Sequence, residues 1–428
     1  MNKVFCAVCE KSFSEDQTMV MAGDETVTHV CFSCASKITN MSLCYKEFMP
    51  YGSSFASECC GQTENVSVDN SASVPKDVLR PKQVKAELDK YIIGQEKAKK
   101  VISIAMYNHY KRTTFQDSSI KKSNILLVGP TGSGKTYLVE TLAKIMKVPV
   151  ALCTATTLTE AGYIGKDVES VVQRLFEVCD HDIEKTQKGI IFIDEVDKLC
   201  ASGSDTEKKV GGKGVQQALL RLLEGTIVTI PVNSGTIGRS AEVEIDTSNI
   251  LFICGGAFPL MEEIIEKRIN RRNSMGFNSD AITADRVKEN LLLHVTPDDL
   301  KTFGMIPEFL GRLPVIAPLE ELTVETLVQI LSVPRDCLLS QYQQLFAYDG
   351  IELQVEEEAL RHIAEIAIEK GTGARSLRAV MEETLEELMF ELPGESIDEV
   401  IVTRDFVEKK AAPLIREKKS GMGVSAAN

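Results

Sequence analysis

One glycine-rich segment constrains this chain more than any other feature. It reads Gly129-Pro130-Thr131-Gly132-Ser133-Gly134-Lys135-Thr136 and follows the apolar run Ile125–Val128. Glycines let backbone N–H groups turn inward around phosphate oxygens, and the helix that begins here adds the positive end of its dipole. The pattern predicts a nucleotide-binding P-loop in which Lys135 neutralises the β and γ phosphates and the Thr136 hydroxyl coordinates Mg²⁺.

A second apolar run, residues 190–193, ends in two carboxylates, Asp194 and Glu195. In a P-loop ATPase, the first carboxylate would hold Mg²⁺ through its water shell, and the second would polarise the attacking water as a general base. A pair of solvated carboxylates at a strand end is common, but beside a P-loop it favours hydrolysis of the nucleotide over its storage. We therefore expect ATP and Mg²⁺ as ligands.

Short apolar runs alternate with segments of helical periodicity from residue 79 onward. This alternation predicts an α/β domain over residues 79–318, with a parallel sheet and helices on both faces. Beyond residue 318 the pattern becomes mostly helical. We predict a smaller, mostly helical domain over residues 319–412 and a disordered tail over 413–428.

The overall charge excludes some classes of function. The chain has 428 residues and a formal net charge of −14, which disfavours duplex DNA as the main ligand because phosphate binding needs a basic footprint. No apolar run approaches the roughly 18 residues of a membrane-spanning helix, and no apolar leader opens the chain. We expect a cytoplasmic protein with no membrane and no nucleic-acid partner. Five cysteines in apolar surroundings indicate buried thiols of a reducing compartment: Cys153, Cys179, Cys200, Cys254 and Cys337.

Four further cysteines near the start of the chain show metal-ligand spacing. Cys6-x2-Cys9 and Cys31-x2-Cys34 are separated by 21 residues, and four thiolates in two such pairs make a closed tetrahedral Zn²⁺ site. Two disulfides are the alternative arrangement, and His29 is a rival ligand. We predict a zinc ribbon-like, zinc-binding domain over residues 1–44, followed by a flexible linker over 45–78, while Cys44, Cys59 and Cys60 match no ligand spacing and stay unassigned.

Several longer segments show that the chain resembles the ClpX family of AAA+ unfoldases over nearly its full length. The segments that carry the likeness are residues 91–98, the P-loop, 157–165, the strand ending in Asp194-Glu195, 214–220, 250–258, 306–312 and 372–375. The resemblance implies a homo-hexameric ring that hydrolyses ATP, unfolds tagged or adaptor-delivered proteins and threads them into a ClpP-type peptidase. It also implies that the zinc module dimerises and receives substrates or adaptors.

The resemblance also implies roles for individual residues. Arg312 would be the arginine finger that a neighbouring subunit supplies, and Arg375 the sensor of nucleotide state in the small domain. Tyr163 and Ile164 would form the pore loop that grips substrate. The implied nucleotide contacts are Ile93, Gly94, Pro130, Thr131, Gly132, Ser133, Gly134, Lys135, Thr136 and Tyr137.

Two segments depart from the family pattern. The family's peptidase-docking motif Ile-Gly-Phe reads Met275-Gly276-Phe277 here, and its basic pore-entrance loop is replaced by residues 233–240, in which only Arg239 is positively charged. A stand-alone remodelling chaperone with altered substrate choice and weak or no peptidase docking is therefore the alternative. A P-loop nucleic-acid motor lacks its basic stripe here, and a small-molecule kinase lacks the signature of an acceptor pocket.

Overall fold

The computed structural model describes residues 3–5, 12–14, 18–22, 27–31, 78–115, 120–159, 166–200, 206–233, 240–273 and 290–417. The chain divides into two compact units, Met1–Ser73 and Val74–Asn428. In the first unit, strands β1 (Lys3–Phe5) and β2 (Ser12–Ser14) pair antiparallel, as do β3 (Thr18–Ala22) and β4 (Val27–Cys31).

The second unit is built around a five-stranded parallel sheet. Its strands are β5 (Ile125–Val128), β6 (Val150–Thr154), β9 (Ile190–Asp194), β12 (Leu251–Gly256) and β13 (Val315–Pro318), in the order β13-β5-β12-β9-β6. Two separate strand pairs lie between these strands in the sequence, β7 (Leu158–Thr159) with β8 (Lys166–Asp167) and β10 (Ile227–Asn233) with β11 (Ser240–Asp246). The predicted parallel α/β sheet is confirmed.

The sheet is covered on both faces, as its continuous apolar strands require. Leu126 and Val128 belong to one core, whereas Ile125 and Leu127 belong to the other. This alternation follows from the two-residue period of a strand. The covering helices are α1 (Pro81–Leu88), α2 (Glu96–Phe115), α3 (Lys135–Met146), α4 (Ser170–Val178), α5 (Ile183–Gln187), α6 (Thr206–Glu224), α7 (Met261–Asn273), α8 (Pro297–Phe303) and α9 (Pro307–Gly311).

A third core lies in the C-terminal part of the same unit. Its helices are α10 (Val324–Ser332), α11 (Leu338–Tyr348), α12 (Glu357–Glu369), α13 (Ala374–Glu391) and α14 (Arg404–Val407), and its strands are β14 (Glu352–Val355), β15 (Ile397–Val402) and β16 (Leu414–Glu417). Buried residues from α10 to β15 share one apolar cluster, with Leu377 and Val400 fully buried. The helical pattern predicted for this part is present, together with a small three-stranded sheet.

Two features of the fold differ from the sequence-based expectation. We predicted a disordered tail from residue 413, but Leu414–Glu417 pairs antiparallel with β15. The segment is short, and its pairing depends on a strand that ends twelve residues earlier, so local periodicity does not show it. The β10–β11 pair was also not predicted, although its seven registered residue pairs run from Ile227–Asp246 to Asn233–Ser240.

An ion pair between a partly exposed arginine and a buried carboxylate joins two of the helices that cover the sheet. Arg268 on α7 donates to both carboxylate oxygens of Asp299 on α8, at 2.8 and 3.0 Å, and to the carbonyl of His294 at 2.7 Å. Thr296 donates its backbone N–H and its hydroxyl to the same carboxylate. Burial alone would raise the pKa of Asp299, but the hydrogen bonds from Arg268 and Thr296 hold it below its usual value.

We expect Arg268→Ala to lower the free energy of unfolding by about 3 kcal/mol, because it leaves the buried Asp299 without its counter-ion. The pKa of Asp299 is lower in the folded state, so its contribution is complete above the unfolded pKa of about 4 and disappears as the pH falls through the folded pKa. The wild-type advantage over Arg268→Ala should therefore shrink below about pH 4. Denaturant unfolding between pH 7 and pH 3 measures this difference.

Arg361→Ala is the matched control, because Arg361 and Glu325 form an exposed ion pair at 3.4 Å. We expect that control to cost much less stability than Arg268→Ala, because exposed ion pairs contribute little to folding. An equal loss in both variants, independent of pH, would contradict the assigned role of Asp299.

Candidate nucleotide site

A cavity of about 440 Å³ lies at the carboxyl edge of the parallel sheet. Its volume is within the range of small-ligand sites. The parallel direction of β5 and β9 brings the P-loop and the Asp194 carboxylate to the same edge. Segments at the edge of the parallel sheet and segments of the C-terminal core form its walls, which are Tyr91, Ile92, Ile93, Gln95, Gly132, Ser133, Gly134, Lys135, Thr136, Tyr137, Glu140, Asp194, Leu322, Ile330, Pro334, Asp336, Cys337, Leu338, Gln341, Ala374 and Arg375.

The P-loop has the backbone that phosphate binding needs. Gly132 and Gly134 have φ angles of 79° and 91°, in the left-handed region that favours glycine. Gly134 is the N-cap of α3, so the unpaired N–H groups of the first helical turn point toward the cavity edge. The Gly129 N–H donates to the carbonyl of Gly256 at 3.2 Å, which ties the start of the loop to the neighbouring strand β12.

Lys135 is buried, and its ammonium group is held by the loop itself. Its Nζ donates to the carbonyls of Gly129 at 2.8 Å and Pro130 at 2.9 Å. Burial lowers the pKa of Lys135, while the carboxylates of Asp194 and Asp197 act in the opposite direction. A phosphate group beside this ammonium would favour its charged form.

The Ser133 hydroxyl provides a test of whether the loop fits a phosphate. Its Oγ is buried and has no hydrogen-bond partner among the residues that the structure describes. An unpaired buried hydroxyl costs free energy, and a phosphate oxygen would accept the missing hydrogen bond. Together with the glycine backbone and Lys135, this orphan donor fits a bound nucleotide phosphate.

The two carboxylates at the end of β9 have different surroundings. The Thr136 hydroxyl donates to Asp194 Oδ2 at 3.3 Å, so these two side chains are placed to share a metal ion. Glu195 has a φ of 59° and donates its N–H to Asp194 Oδ1 at 2.8 Å. Its Oε2 accepts from the Thr156 hydroxyl at 3.4 Å. A left-handed glutamate at the sheet edge is strained backbone of the kind that occurs at functional sites.

The turn before α13 approaches the P-loop closely. The Ala374 N–H donates to the carbonyl of Gly132 at 3.3 Å, and Arg375 lines the cavity. A Cβ built on Gly132 would lie 2.2 Å from the carbonyl oxygen of Thr372. The C-terminal core therefore contacts the loop itself, in addition to forming the opposite wall of the cavity.

Gln95 is a residue of this site that the motifs did not single out. Its side chain is buried, donates to the carbonyl of Glu320 at 2.9 Å and accepts from the Glu320 N–H at 2.8 Å. It thereby joins the start of α2 to the segment between β13 and α10. The signal in the sequence is its place beside Gly94 in residues 91–98, but its partner is 225 positions away.

The structure brings together most, but not all, of the predicted nucleotide contacts. Ile93 and the segment 132–137 line the cavity, whereas Gly94, Pro130 and Thr131 lie in the same loops outside its described walls. Arg312 also lies outside these walls. Its Nη2 is 2.6 Å from Glu224 Oε1, and both side chains are about half exposed.

Several predictions fall outside the described residues. These are the pore-loop residues Tyr163 and Ile164, the docking residues Met275, Gly276 and Phe277, the entrance-loop residue Arg239, and the cysteines Cys6, Cys9 and Cys34. Cys31 is the last residue of β4. Among the residues that are described, no group of three or more metal-ligating side chains is found, and no helix is long and apolar enough to cross a membrane. The five cysteines predicted to be buried are buried.

We expect Gly132→Ala to weaken nucleotide binding by roughly tenfold or more, because its Cβ would collide with the Thr372 carbonyl and its φ would be strained. Titration with a fluorescent ATP analogue measures the affinity. Gly394→Ala is the matched control, since Gly394 has a φ of 92° but no neighbour within 4 Å of the added carbon. Equal affinities for ATP in the two variants would contradict the importance of this contact.

Comparisons with known proteins agree with this geometry. Residues 120–316 match the family model of the AAA domain (Cdc48 subfamily), and residues 322–399 match that of the C-terminal, D2-small domain of ClpB protein. The ATP-dependent Clp protease ATP-binding subunit ClpX 3 of Methylococcus capsulatus is 46% identical over 377 residues, which cover 83% of this chain and 87% of that protein. The chain therefore belongs to the ClpX family of AAA+ ATPases, and it binds and hydrolyses ATP with Mg²⁺.

Proposed function

We propose that this protein is an ATP-dependent unfoldase that assembles as a homo-hexameric ring and delivers unfolded chains to a ClpP-type peptidase. The observation that carries the proposal is the contact of the C-terminal core with the P-loop at Gly132, beside the nucleotide cavity. A nucleotide bound there would touch both the P-loop and the C-terminal core, so its hydrolysis would change their relative position. The relative from Methylococcus capsulatus, which is named as the ATP-binding subunit of an ATP-dependent protease, supports the same role.

The positions of the side chains support the proposed catalytic roles. Thr136 and Asp194 would hold Mg²⁺, which neutralises phosphate charge when it is bound. Lys135 would bind the β and γ phosphates, and Glu195 would take a proton from the attacking water as the general base. In this role the left-handed backbone of Glu195 sets the direction of its carboxylate, and the Thr156 hydroxyl restrains it.

The two arginines would act from different subunits. Arg375 lines the cavity of its own chain and would sense the phosphates from the start of α13. Arg312 lies outside that cavity and is half exposed, so it would reach the nucleotide of a neighbouring subunit and stabilise the charge on the transferred phosphoryl group. The position of Arg312 outside the cavity of its own chain supports the proposal of a ring.

Substrate would be moved by Tyr163 and Ile164. The residues on either side of this segment form the two-residue pair β7–β8, with Leu158 opposite Lys166 and Thr159 opposite Asp167. The ends of the proposed pore loop are therefore held together, near the strand β6 that leads into β7. An aromatic ring between glycines gives a large apolar grip that does not depend on the sequence of the substrate.

Docking to the peptidase would use Met275, Gly276 and Phe277. The helices α7 and α8, which flank residues 274–289, are joined by the Arg268–Asp299 pair. Methionine keeps the apolar bulk of the family's isoleucine but adds flexibility. This substitution is the observation that favours the second candidate, a stand-alone remodelling chaperone without the peptidase.

In the first unit we propose a structural Zn²⁺ bound by Cys6, Cys9, Cys31 and Cys34, in a module that receives substrates or adaptors. Its paired strands are only three and five residues long. Isolated two-stranded pairs of this length are marginal in water, so a metal would supply much of their stability.

We expect the purified protein to degrade a stably folded protein that carries an unstructured tag only when both ATP and a ClpP-type peptidase are present. Glu195→Gln should bind ATP with normal affinity but hydrolyse it at least roughly 100-fold more slowly, and it should degrade nothing. Phe277→Ala should retain ATP hydrolysis and unfolding but lose degradation. Loss of substrate fluorescence and release of peptides measure unfolding and degradation separately.

The outcomes of this assay separate the candidate functions. Unfolding without activation of the peptidase, unaffected by Phe277→Ala, would establish the stand-alone chaperone. ATP hydrolysis without any unfolding would contradict both candidates. Normal hydrolysis by Glu195→Gln would remove this residue from the role of general base.

We expect the wild-type chain to carry about one Zn²⁺ per subunit when purified under reducing conditions, and Cys31→Ser to carry much less. Elemental mass spectrometry measures the metal content. Cys44→Ser is the matched control and should keep the metal. Zinc-free protein that contains two disulfides by thiol counting would establish the alternative arrangement.

A further inference from the structure

Asn124 is a buried amide that bonds to three backbone groups from distant parts of the chain. Its Nδ2 donates to the carbonyl of Leu223 at 3.2 Å and to the carbonyl of Arg312 at 2.9 Å, and its Oδ1 accepts from the Phe252 N–H at 3.3 Å. The side chain is 1% exposed. Leu223 and Arg312 are 89 positions apart in the sequence, so this one amide sets their separation.

The two carbonyls bound by Asn124 lie directly beside the Glu224–Arg312 ion pair. Leu223 precedes Glu224, the last residue of α6, and the other carbonyl belongs to Arg312 itself. Glu224 Oε1 contacts Nη2 of Arg312 at 2.6 Å, which leaves other guanidinium donors available for a phosphate. Asn124 thus fixes the backbone of the pair, while Glu224 restricts the direction of the guanidinium.

This pair is poorly suited to a role in stability. Both side chains are about half exposed, and exposed ion pairs contribute little to folding. A function of Arg312 outside its own cavity, in contrast, needs a defined direction for a long and flexible side chain. Misplacement of a reacting group by about 1 Å is enough to reduce a rate by roughly 100-fold.

We propose that Asn124 and Glu224 are positioning residues for Arg312, which they hold ready to reach the nucleotide of the neighbouring subunit. The inference rests on the proposed function, in which Arg312 acts across a ring. Asn124 also directly precedes β5, the strand that ends at the P-loop. The backbone that carries Arg312 is therefore hydrogen-bonded to the residue directly before the strand that leads to the P-loop of the same subunit.

The test mixes two kinds of defective subunit. Glu195→Gln subunits have an inactive pocket but an intact Arg312, whereas Asn124→Ala and Glu224→Gln subunits should have an intact pocket but a misplaced Arg312. Alone, we expect Asn124→Ala to hydrolyse ATP roughly 100-fold more slowly and Glu224→Gln roughly tenfold more slowly, with unchanged affinity for a fluorescent ATP analogue. When each variant is mixed with an excess of Glu195→Gln, the ATP hydrolysis rate of the mixture should exceed the sum of the two separate rates by roughly threefold. In such mixed rings an intact pocket of one subunit faces a correctly placed Arg312 of its neighbour.

A mixture of Arg312→Ala with Glu195→Gln tests the action of Arg312 across subunits separately from the positioning role of Asn124 and Glu224. If Arg312→Ala mixed with Glu195→Gln gains no activity, the action of Arg312 across subunits is wrong and the inference falls with it. If that mixture gains activity but the Asn124→Ala and Glu224→Gln mixtures do not, the positioning role alone is overturned. A merely structural role for Asn124 predicts weakened nucleotide binding and no recovery on mixing.

Two controls keep the result decisive. Asn124→Ser retains one hydroxyl donor and replaces Asn124→Ala if the alanine variant does not fold. Glu399→Gln removes the carboxylate from an equally short ion pair, with Arg416 at 2.7 Å in the C-terminal core, and should leave hydrolysis unchanged. A loss in Glu399→Gln equal to that in Glu224→Gln would overturn the specific role of Glu224.

Discussion

The close approach of two backbones, at Gly132 and at Thr372, is the constraint on which the nucleotide site depends. No side chain fits between them, since a single added carbon on Gly132 would lie 2.2 Å from the Thr372 carbonyl. The contact places the first turn of α13 against the P-loop, so that Arg375 lines the same cavity as Ser133 and Lys135. A ligand bound in the loop therefore lies directly beside the C-terminal core. No linker that could absorb a displacement of the loop separates the two.

The charges and hydrogen bonds of the loop suit a ligand that is bound and then released. Lys135 is buried, yet its ammonium donates to two backbone carbonyls, and burial lowers its pKa. Hydrogen bonds from an ammonium group to uncharged carbonyls are weaker than those to an anionic phosphate, so an exchange of the carbonyls for phosphate oxygens is favourable. The buried Ser133 hydroxyl has no partner among the described residues, so a bound ligand would add a hydrogen bond without breaking one. The loop thus offers hydrogen-bond donors to an anion, while Lys135 already bonds to two carbonyls of the same loop.

How much of this could be read from the sequence depends on the distance between interacting residues. The P-loop, the strand before it and the Asp194-Glu195 pair were predicted because glycine backbone freedom, apolar periodicity and the adjacent carboxylates are all local signals. The Gln95–Glu320 hydrogen bonds and the Asn124–Arg312 bond join residues 225 and 188 positions apart, and no local pattern marks them. The strand Leu414–Glu417 was predicted as tail because four residues carry too little periodicity without their partner β15.

Three of the residues that escaped prediction share one chemical property, which explains their place in the fold. Gln95, Asn124 and Gln216 are buried amides, and each offers donors and an acceptor to backbone groups of different elements. Gln216 on α6 donates to the Leu199 carbonyl and accepts from the Ile306 N–H just before α9, the helix that ends directly before Arg312. A buried amide must satisfy these groups or lose free energy, so each one fixes a geometry that apolar packing alone would leave adjustable. Two of the three act on the segment that carries Arg312, which indicates that the position of this arginine is specified more tightly than its exposed side chain suggests.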